Sequence, residues 1–221
     1  LYCSTDSGTT WKSYTGAPVL TGADSAYATS GDGARVIIRS GSHSLRLQSY
    51  QCQLDGNSSS MRGLVVKDGA QATITLVGNN EICAAYDRAI RLEGSAVLTL
   101  NGKGSLAVRG ADLSIEGDPT SVLNVSGCQL KYSSSWRDNL AGGIYVGTLN
   151  ITNAAVDFKV PGSMQGVSGI AAYRNMTIAN STVNVEAQSF SPCIIAGTEL
   201  QKVDDKTTKR GTLTINNSTV T

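Results

Sequence analysis

Apolar and polar residues alternate along this chain in short runs that return at nearly fixed intervals. Gly147-Thr-Leu-Asn-Ile-Thr-Asn153-Ala-Ala-Val156, Asn175-Met-Thr-Ile-Ala-Asn180-Ser-Thr-Val183 and Gly211-Thr-Leu-Thr-Ile-Asn-Asn217-Ser-Thr-Val220 are three copies of one phrase. Within a copy the apolar positions fall two apart, as in Leu149, Ile151 and then Val156, Phe158, and period two is the signature of a strand. Ile151 to Ile178 and Val156 to Val183 are both 27 residues, whereas Ile178 to Ile215 and Val183 to Val220 are both 37. The surplus of ten falls in the charged segment 199–210, which reads as a loop thrown out from a regular stack. A five-residue strand spans about 17 Å, so a unit of this length holds roughly three strands with a turn after each.

The period continues upstream in weaker form. Leu64 sets on Ile90 at 26 residues; Ala72–Gly78 and Val97–Gly102 align at 24, as do Ile82 and Leu106; Ile144, Ile170 and Ile195 follow at 26 and 25. Residues 34–48, with Val36, Ile37, Ile38, Leu45 and Leu47, supply an earlier turn. The pattern predicts an all-β, right-handed parallel β-helix of about seven or eight coils of roughly 24–27 residues, three short strands per coil. It forms one domain over 1–221, with 1–33 as an entry or capping segment, Trp11 covering the first coil, and loop excursions at 132–141 and 199–210. Opening at Leu1 and closing inside the third copy, the chain reads as part of a larger protein. Asn153, Asn180 and Asn217 share one register, and because Asn tolerates left-handed backbone they are expected at a tight corner, stacked as an internal or corner asparagine ladder.

Composition narrows the function. Eighteen basic and 17 acidic residues leave a net charge of +1, which gives no electrostatic basis for binding nucleic acid or an anionic membrane. No run reaches the 18 or more apolar residues of a membrane span. Aromatics are 5% of the chain, with 4 Pro and 24 Gly, so small, β-branched and turn-forming residues dominate, as a narrow solenoid core requires. The five cysteines, at 3, 52, 83, 128 and 193, lack the paired spacing of a zinc site. They read as buried small hydrophobes, the alternative being a disulfide between Cys52 and Cys83 on adjacent coils. Seven Asn-x-Ser/Thr matches occur, but a repeat rich in these residues generates them by itself.

Catalytic constellations are hard to assemble. His43 is the sole histidine and sits in a polar turn, so a histidine-based metal cluster is excluded. Inverting polysaccharide hydrolases on such a fold need paired carboxylates on adjacent coils, and the only Asp-Asp pair, 204–205, lies in the charged loop. A lyase needs carboxylates gathered around calcium; the one Asp on a repeat strand, Asp157, is answered 27 residues later by Asn184. No cofactor is expected, and calcium stays an alternative that no motif indicates.

Binding features are better represented. Tyr132-Ser-Ser-Ser-Trp136-Arg137-Asp138-Asn139 interrupts the periodicity with aromatic, cationic, acidic and amide groups, the mixture that stacks on sugar rings and reads hydroxyls; the alternative is a loop whose Trp packs over a coil edge. Tyr145 and Tyr173 join Tyr132, Trp136, Arg137 and Asp138 as candidate ligand contacts. Tyr86 and Tyr173 stand in similar strings, which predicts one corner for both, as an aromatic track or as rim residues.

Ile90-Arg-Leu-Glu-Gly-Ser-Ala-Val-Leu-Thr-Leu-Asn-Gly-Lys-Gly-Ser-Leu-Ala-Val108, the copy at 211–220 and the opening Ser4-Thr-Asp-Ser-Gly-Thr-Thr-Trp-Lys-Ser-Tyr14 resemble repeats in large surface proteins of Gram-positive gut bacteria. Those proteins carry β-helical modules labelled carbohydrate-binding domains. The resemblance implies an exported protein, at the bacterial cell surface or secreted. The repeat, the missing catalytic constellation and the Trp136 loop point to a noncatalytic, adhesin-like module that binds glycans, such as a polysaccharide or host glycan, or a cell surface; a structural spacer and a polysaccharide lyase or hydrolase are the alternatives.

Overall fold

The computed structural model describes residues 2–4, 11–13, 19–21, 34–54, 62–111, 113–132, 143–160, 169–187, 193–198, 201–202, 208–209 and 211–221. Among these residues there is no helix, and three parallel sheets wind around one interior. The chain is a parallel β-solenoid. The first sheet stacks Ala34–Ile38, Arg62–Val66, Ile90–Leu92, Ile115–Gly117, Ile144–Val146, Ile170–Ala172 and Ile194–Ala196. The second stacks Val19–Thr21, Ser42–Gln48, Gln71–Val77, Val97–Gly102, Val122–Ser126, Thr148–Thr152, Met176–Ala179 and Leu213–Asn216. The third stacks Gln51–Leu54, Asn79–Ala84, Ser105–Arg109, Gln129–Tyr132, Ala155–Val160, Thr182–Ala187 and Thr219–Val220. The chain visits the sheets in that order on every turn. About five turns, from residue 62 to residue 187, have a parallel neighbour on both sides of all three strands.

The interior is built from columns in which like residues stack. Leu64, Ile90, Ile115, Ile144 and Ile170 make one in the first sheet. Leu98, Leu123, Leu149 and Met176 make one in the second, and Leu106, Leu130, Val156 and Val183 one in the third. All are buried. Each such side chain contributes about 1.5–3 kcal/mol when removed from water, so one core runs continuously from turn to turn.

Asn153, Asn180 and Asn217 stack one turn apart where the second sheet gives way to the third, with φ of 50°, 50° and 47°. That backbone region crowds any Cβ and is easiest for Gly and Asn, and Gly127 occupies the same register with φ 66°. Their side chains are exposed; the described amide ladders run elsewhere, Asn150 Nδ2 donating to Asn124 Oδ1 at 2.9 Å and Asn184 Nδ2 to Asp157 Oδ1 at 3.0 Å. At the wider N-terminal end Asn80, only 2% exposed, holds this corner from inside. Its Oδ1 accepts the Tyr50 N–H at 2.9 Å and its Nδ2 donates to the Ser105 carbonyl at 3.1 Å, joining three successive turns.

From Ser42–Gln48 onward the second sheet tapers. Strands of the second sheet fall from 7 residues at Ser42–Gln48 and Gln71–Val77, through 6 and 5, to 4 at Met176–Ala179 and Leu213–Asn216. Gly102, with φ 105°, lies in register with Leu76, and a Cβ there would strike the Leu76 backbone, so the step between the girths rests on a residue without a side chain.

This taper corrects the alignment drawn from periodicity. Leu98 pairs with Ala72 and Leu100 with Ile74, and Val108 pairs with Ile82, all 26 apart instead of 24. A slip of two leaves every side chain on its face, so alternation alone is blind to it. In the first sheet Ile194, and not Ile195, stacks on Ile170.

At the N-terminal edge, Tyr2–Ser4 pairs antiparallel with both Trp11–Ser13 and Ala34–Ile38, which interrupts parallel stacking there. Within the 199–210 excursion Gln201–Lys202 pairs antiparallel with Thr208–Lys209. Cys52, Cys83 and Cys128 are buried thiols and Cys193 is exposed. Cys52 lies opposite Ile82 and faces the core, whereas Cys83 lies opposite Gln53 on the other face of the sheet, so the register does not bring the two together as a disulfide would require.

Candidate functional site

The first sheet carries the densest functional chemistry on its outer face. Register stacks Val65, Arg91, Glu116, Tyr145, Ala171 and Ile195 in one outward column. Charges at its N-terminal half pair across turns: Lys67 Nζ with Glu93 Oε1 at 3.0 Å, Arg62 Nε with Asp87 Oδ2 at 2.9 Å, Arg91 Nη1 with Glu116 Oε1 at 3.4 Å. Arg88 also pairs with Glu116 and Arg91 with Asp118. Asp87, whose side chain is 3% exposed, accepts from Arg62, from the Arg88 N–H at 2.8 Å and from Arg88 Nη1 at 3.3 Å.

Arg62, Lys67, Arg88 and Arg91 thus meet Asp87, Glu93, Glu116 and Asp118 in a self-neutralising array. Partly exposed pairs of this kind contribute about 0–1 kcal/mol each. Their chemical consequence is larger. All four carboxylates in the array are engaged by guanidinium or ammonium groups, so their oxygens are taken up by partners within the array. The cations, likewise engaged, are poorly placed to grip a polyanion.

Where the charges end, two aromatic rings begin. Tyr145 and Tyr173 stack with centroids 4.1 Å apart and planes inclined by 16°. The Tyr145 hydroxyl shares a hydrogen bond of 2.9 Å with Thr198 Oγ1. Burial, then the neighbouring Tyr145 and the charge of Glu116, push the Tyr173 phenol up to about 12, with Arg91 opposing. The pair is a half-buried apolar slab with hydroxyls at its edge, a surface suited to the C–H face of a sugar ring.

A second feature lies on the opposite side of the molecule. A groove of about 680 Å³ follows the corner between the second and third sheets, lined by Asn79, Lys103, Ser105, Gln129, Asn153 and Asn180 among others. It presents amides, hydroxyls and one lysine to solvent along several turns.

The structure thus separates the residues singled out in the sequence. Tyr145 and Tyr173 come together on the first sheet, while Tyr132 ends a strand of the third sheet, its ring 5.3 Å from the Arg109 guanidinium carbon. Trp136, Arg137 and Asp138 lie outside the described residues, as do Asp204 and Asp205. Tyr86, 42% exposed, follows a third-sheet strand, whereas Tyr173 follows a first-sheet strand, so similar strings stand at different corners. His43, expected in a polar turn, instead lies in the strand Ser42–Gln48 opposite Ala72, with its Nε2 2.8 Å from the Ser40 carbonyl. The pattern of apolar positions alone does not reveal the charged array. Lys67 to Glu93, Arg62 to Asp87 and Arg91 to Asp118 are 26, 25 and 27 residues apart, so the same period applied to charges would have found it.

Among the described residues, no group of three or more His, Cys, Asp or Glu side chains is placed to hold a metal ion, and no helix is long and apolar enough to cross a membrane. Comparison with family models, with curated proteins and with solved structures gives no match.

Proposed function

We propose that this chain is a noncatalytic, adhesin-like glycan-binding module of a bacterial cell-surface or secreted protein, a right-handed parallel β-helix of about seven or eight coils when the partial end turns are included. The observation that carries the reading is the stacked Tyr145–Tyr173 pair beside a charge-neutral array. Aromatic rings bordered by hydroxyls favour neutral sugars, and internally paired cations offer little to polyuronates. The resemblance of the repeats to surface modules of Gram-positive gut bacteria supports the location. A neutral-glycan array followed by calorimetry tests it: binding that falls at least tenfold in Tyr145→Ala and Tyr173→Ala supports the reading, and an array without signal above background defeats it.

The spacer reading is favoured by a different observation, the unbroken core and interturn ion pairs, which suit a stiff rod. It predicts that both tyrosine variants alter stability alone.

A further inference from the structure

Outward-facing residues of a solenoid strand ordinarily meet solvent, yet all five residues of Ser105–Arg109 are buried. Leu106 and Val108 belong to the core, which puts Ser105, Ala107 and Arg109 on the other face, 5%, 8% and 1% exposed. Arg109 heads the fully buried side chains by volume, and beside it in register Cys83 is 0% exposed. Nε and Nη1 of Arg109 are buried without a hydrogen-bond partner. The contrast with the first sheet is direct: Arg62, Arg88 and Arg91 each meet carboxylates, whereas the contact of Arg109 is the Tyr132 ring at 5.3 Å. A ring face attracts a cation but accepts no hydrogen bond in the guanidinium plane. Guanidinium groups keep their charge at physiological pH, and a buried charge persists only when something compensates it.

We propose that Arg109 holds a small monovalent anion, of the size of chloride or formate, on the outer side of the third sheet beside Tyr132. Size follows from burial: the guanidinium and its neighbours Ala107, Cys83 and Gly110 are closed to solvent, which leaves no approach for a sugar ring or a polymer. The site is independent of the glycan reading and lies on a different sheet from Tyr145 and Tyr173.

The test uses the whole chain in sodium gluconate, whose anion is too large for the site, replaced stepwise by sodium chloride or sodium formate at constant ionic strength. Wild type should gain about 5–10 °C in Tm, saturably, at about 100 times the Kd, and Arg109→Met under about 1 °C. Excess ³⁵Cl line broadening should accompany chloride binding, be displaced by formate, and vanish in the variant. Equal Tm in the three salts, or shift and broadening that persist in Arg109→Met, overturns the proposal. Should Arg109→Met fail to fold, the wild-type broadening and its displacement by formate decide the matter, with Arg109→Lys as the second variant, expected to weaken chloride at least tenfold.

Discussion

Asn80 offers the sharpest test of how this solenoid holds its wide end. The carboxamide is almost fully buried and touches the turn before it through the Tyr50 N–H and the turn after it through the Ser105 carbonyl. Its Nδ2 also lies 3.3 Å from the Val77 carbonyl. Asn80→Ala strands the Tyr50 N–H, at about 1–3 kcal/mol for a buried unpaired donor, and adds a small cavity term, for a total of about 2–4 kcal/mol. Asn80→Leu fills the space in register with Leu106 but still leaves the donor unpaired, so it should fall between wild type and Ala. Asn80→Asp keeps the acceptor and turns a second oxygen, charged at neutral pH, toward carbonyls; it should be the least stable and recover partly in acid. Urea unfolding gives the ranking, and amide exchange of Tyr50 gives the local readout, since a solenoid can open turn by turn. Should Asn80→Ala lie within about 0.5 kcal/mol of wild type, with Tyr50 exchange unchanged, the idea that this amide clamps three turns is wrong.

Removing the Asp87 carboxylate leaves Arg62 and Arg88 with their weaker or more exposed partners, so Asp87→Ala should destabilise by about 2–3 kcal/mol and Asp87→Asn, which retains the acceptor for the Arg88 N–H, by about 1, measured by denaturant midpoint. The Tyr173 phenol, raised to about 12 from 10.0, ionises first in the unfolded chain. Stability is therefore full below pH 10 and falls as pH rises from there toward 12; absorbance at 295 nm should show the late-titrating phenol, and Tyr173→Phe should remove its share of the decline. Hydrogen bonds from the Ser95 N–H and hydroxyl, at 2.7 and 2.8 Å, lower the Asp68 pKa below 3.8, so their contribution is present near neutrality and disappears as pH falls through that depressed value; carboxyl NMR titration of Asp68 should be shifted back in Ser95→Ala. At the left-handed corner, Asn153→Gly should change stability by a few tenths of a kcal/mol and Asn153→Val lower it by about 1–2.

Legibility of the fold followed the copying of the phrase. Ile151, Ile178 and Ile215 stack as their similar surroundings indicate, and the left-handed corner at Asn153, Asn180 and Asn217 sits where the Asn register put it. Where the copies differ in strand length, alternation fixes a face but not a position along it, which is how Ile82 came to be set on Leu106 instead of Val108. Asn80 stayed hidden for a related reason. A Gly-Asn-Asn string reads as a turn, yet its last residue points inward and spends its amide on neighbouring backbone. The candidate face was legible only as isolated tyrosines, because the ion pairs that flank them join residues about 25 apart and mean nothing until the turns are stacked.

The taper of the second sheet carries a lesson for anyone who would lengthen such a module. The thrice-used phrase belongs to the narrow end, where successive strands have 5, 4 and 4 residues and the corner is set by Asn. A unit cut there at a 27-residue spacing can be duplicated as a spare part, because the cross-section above it matches the one below. A unit cut between Gln71–Val77 and Val97–Gly102 cannot, since each inserted copy would bring its own change of girth and demand another residue like Gly102 at the shoulder.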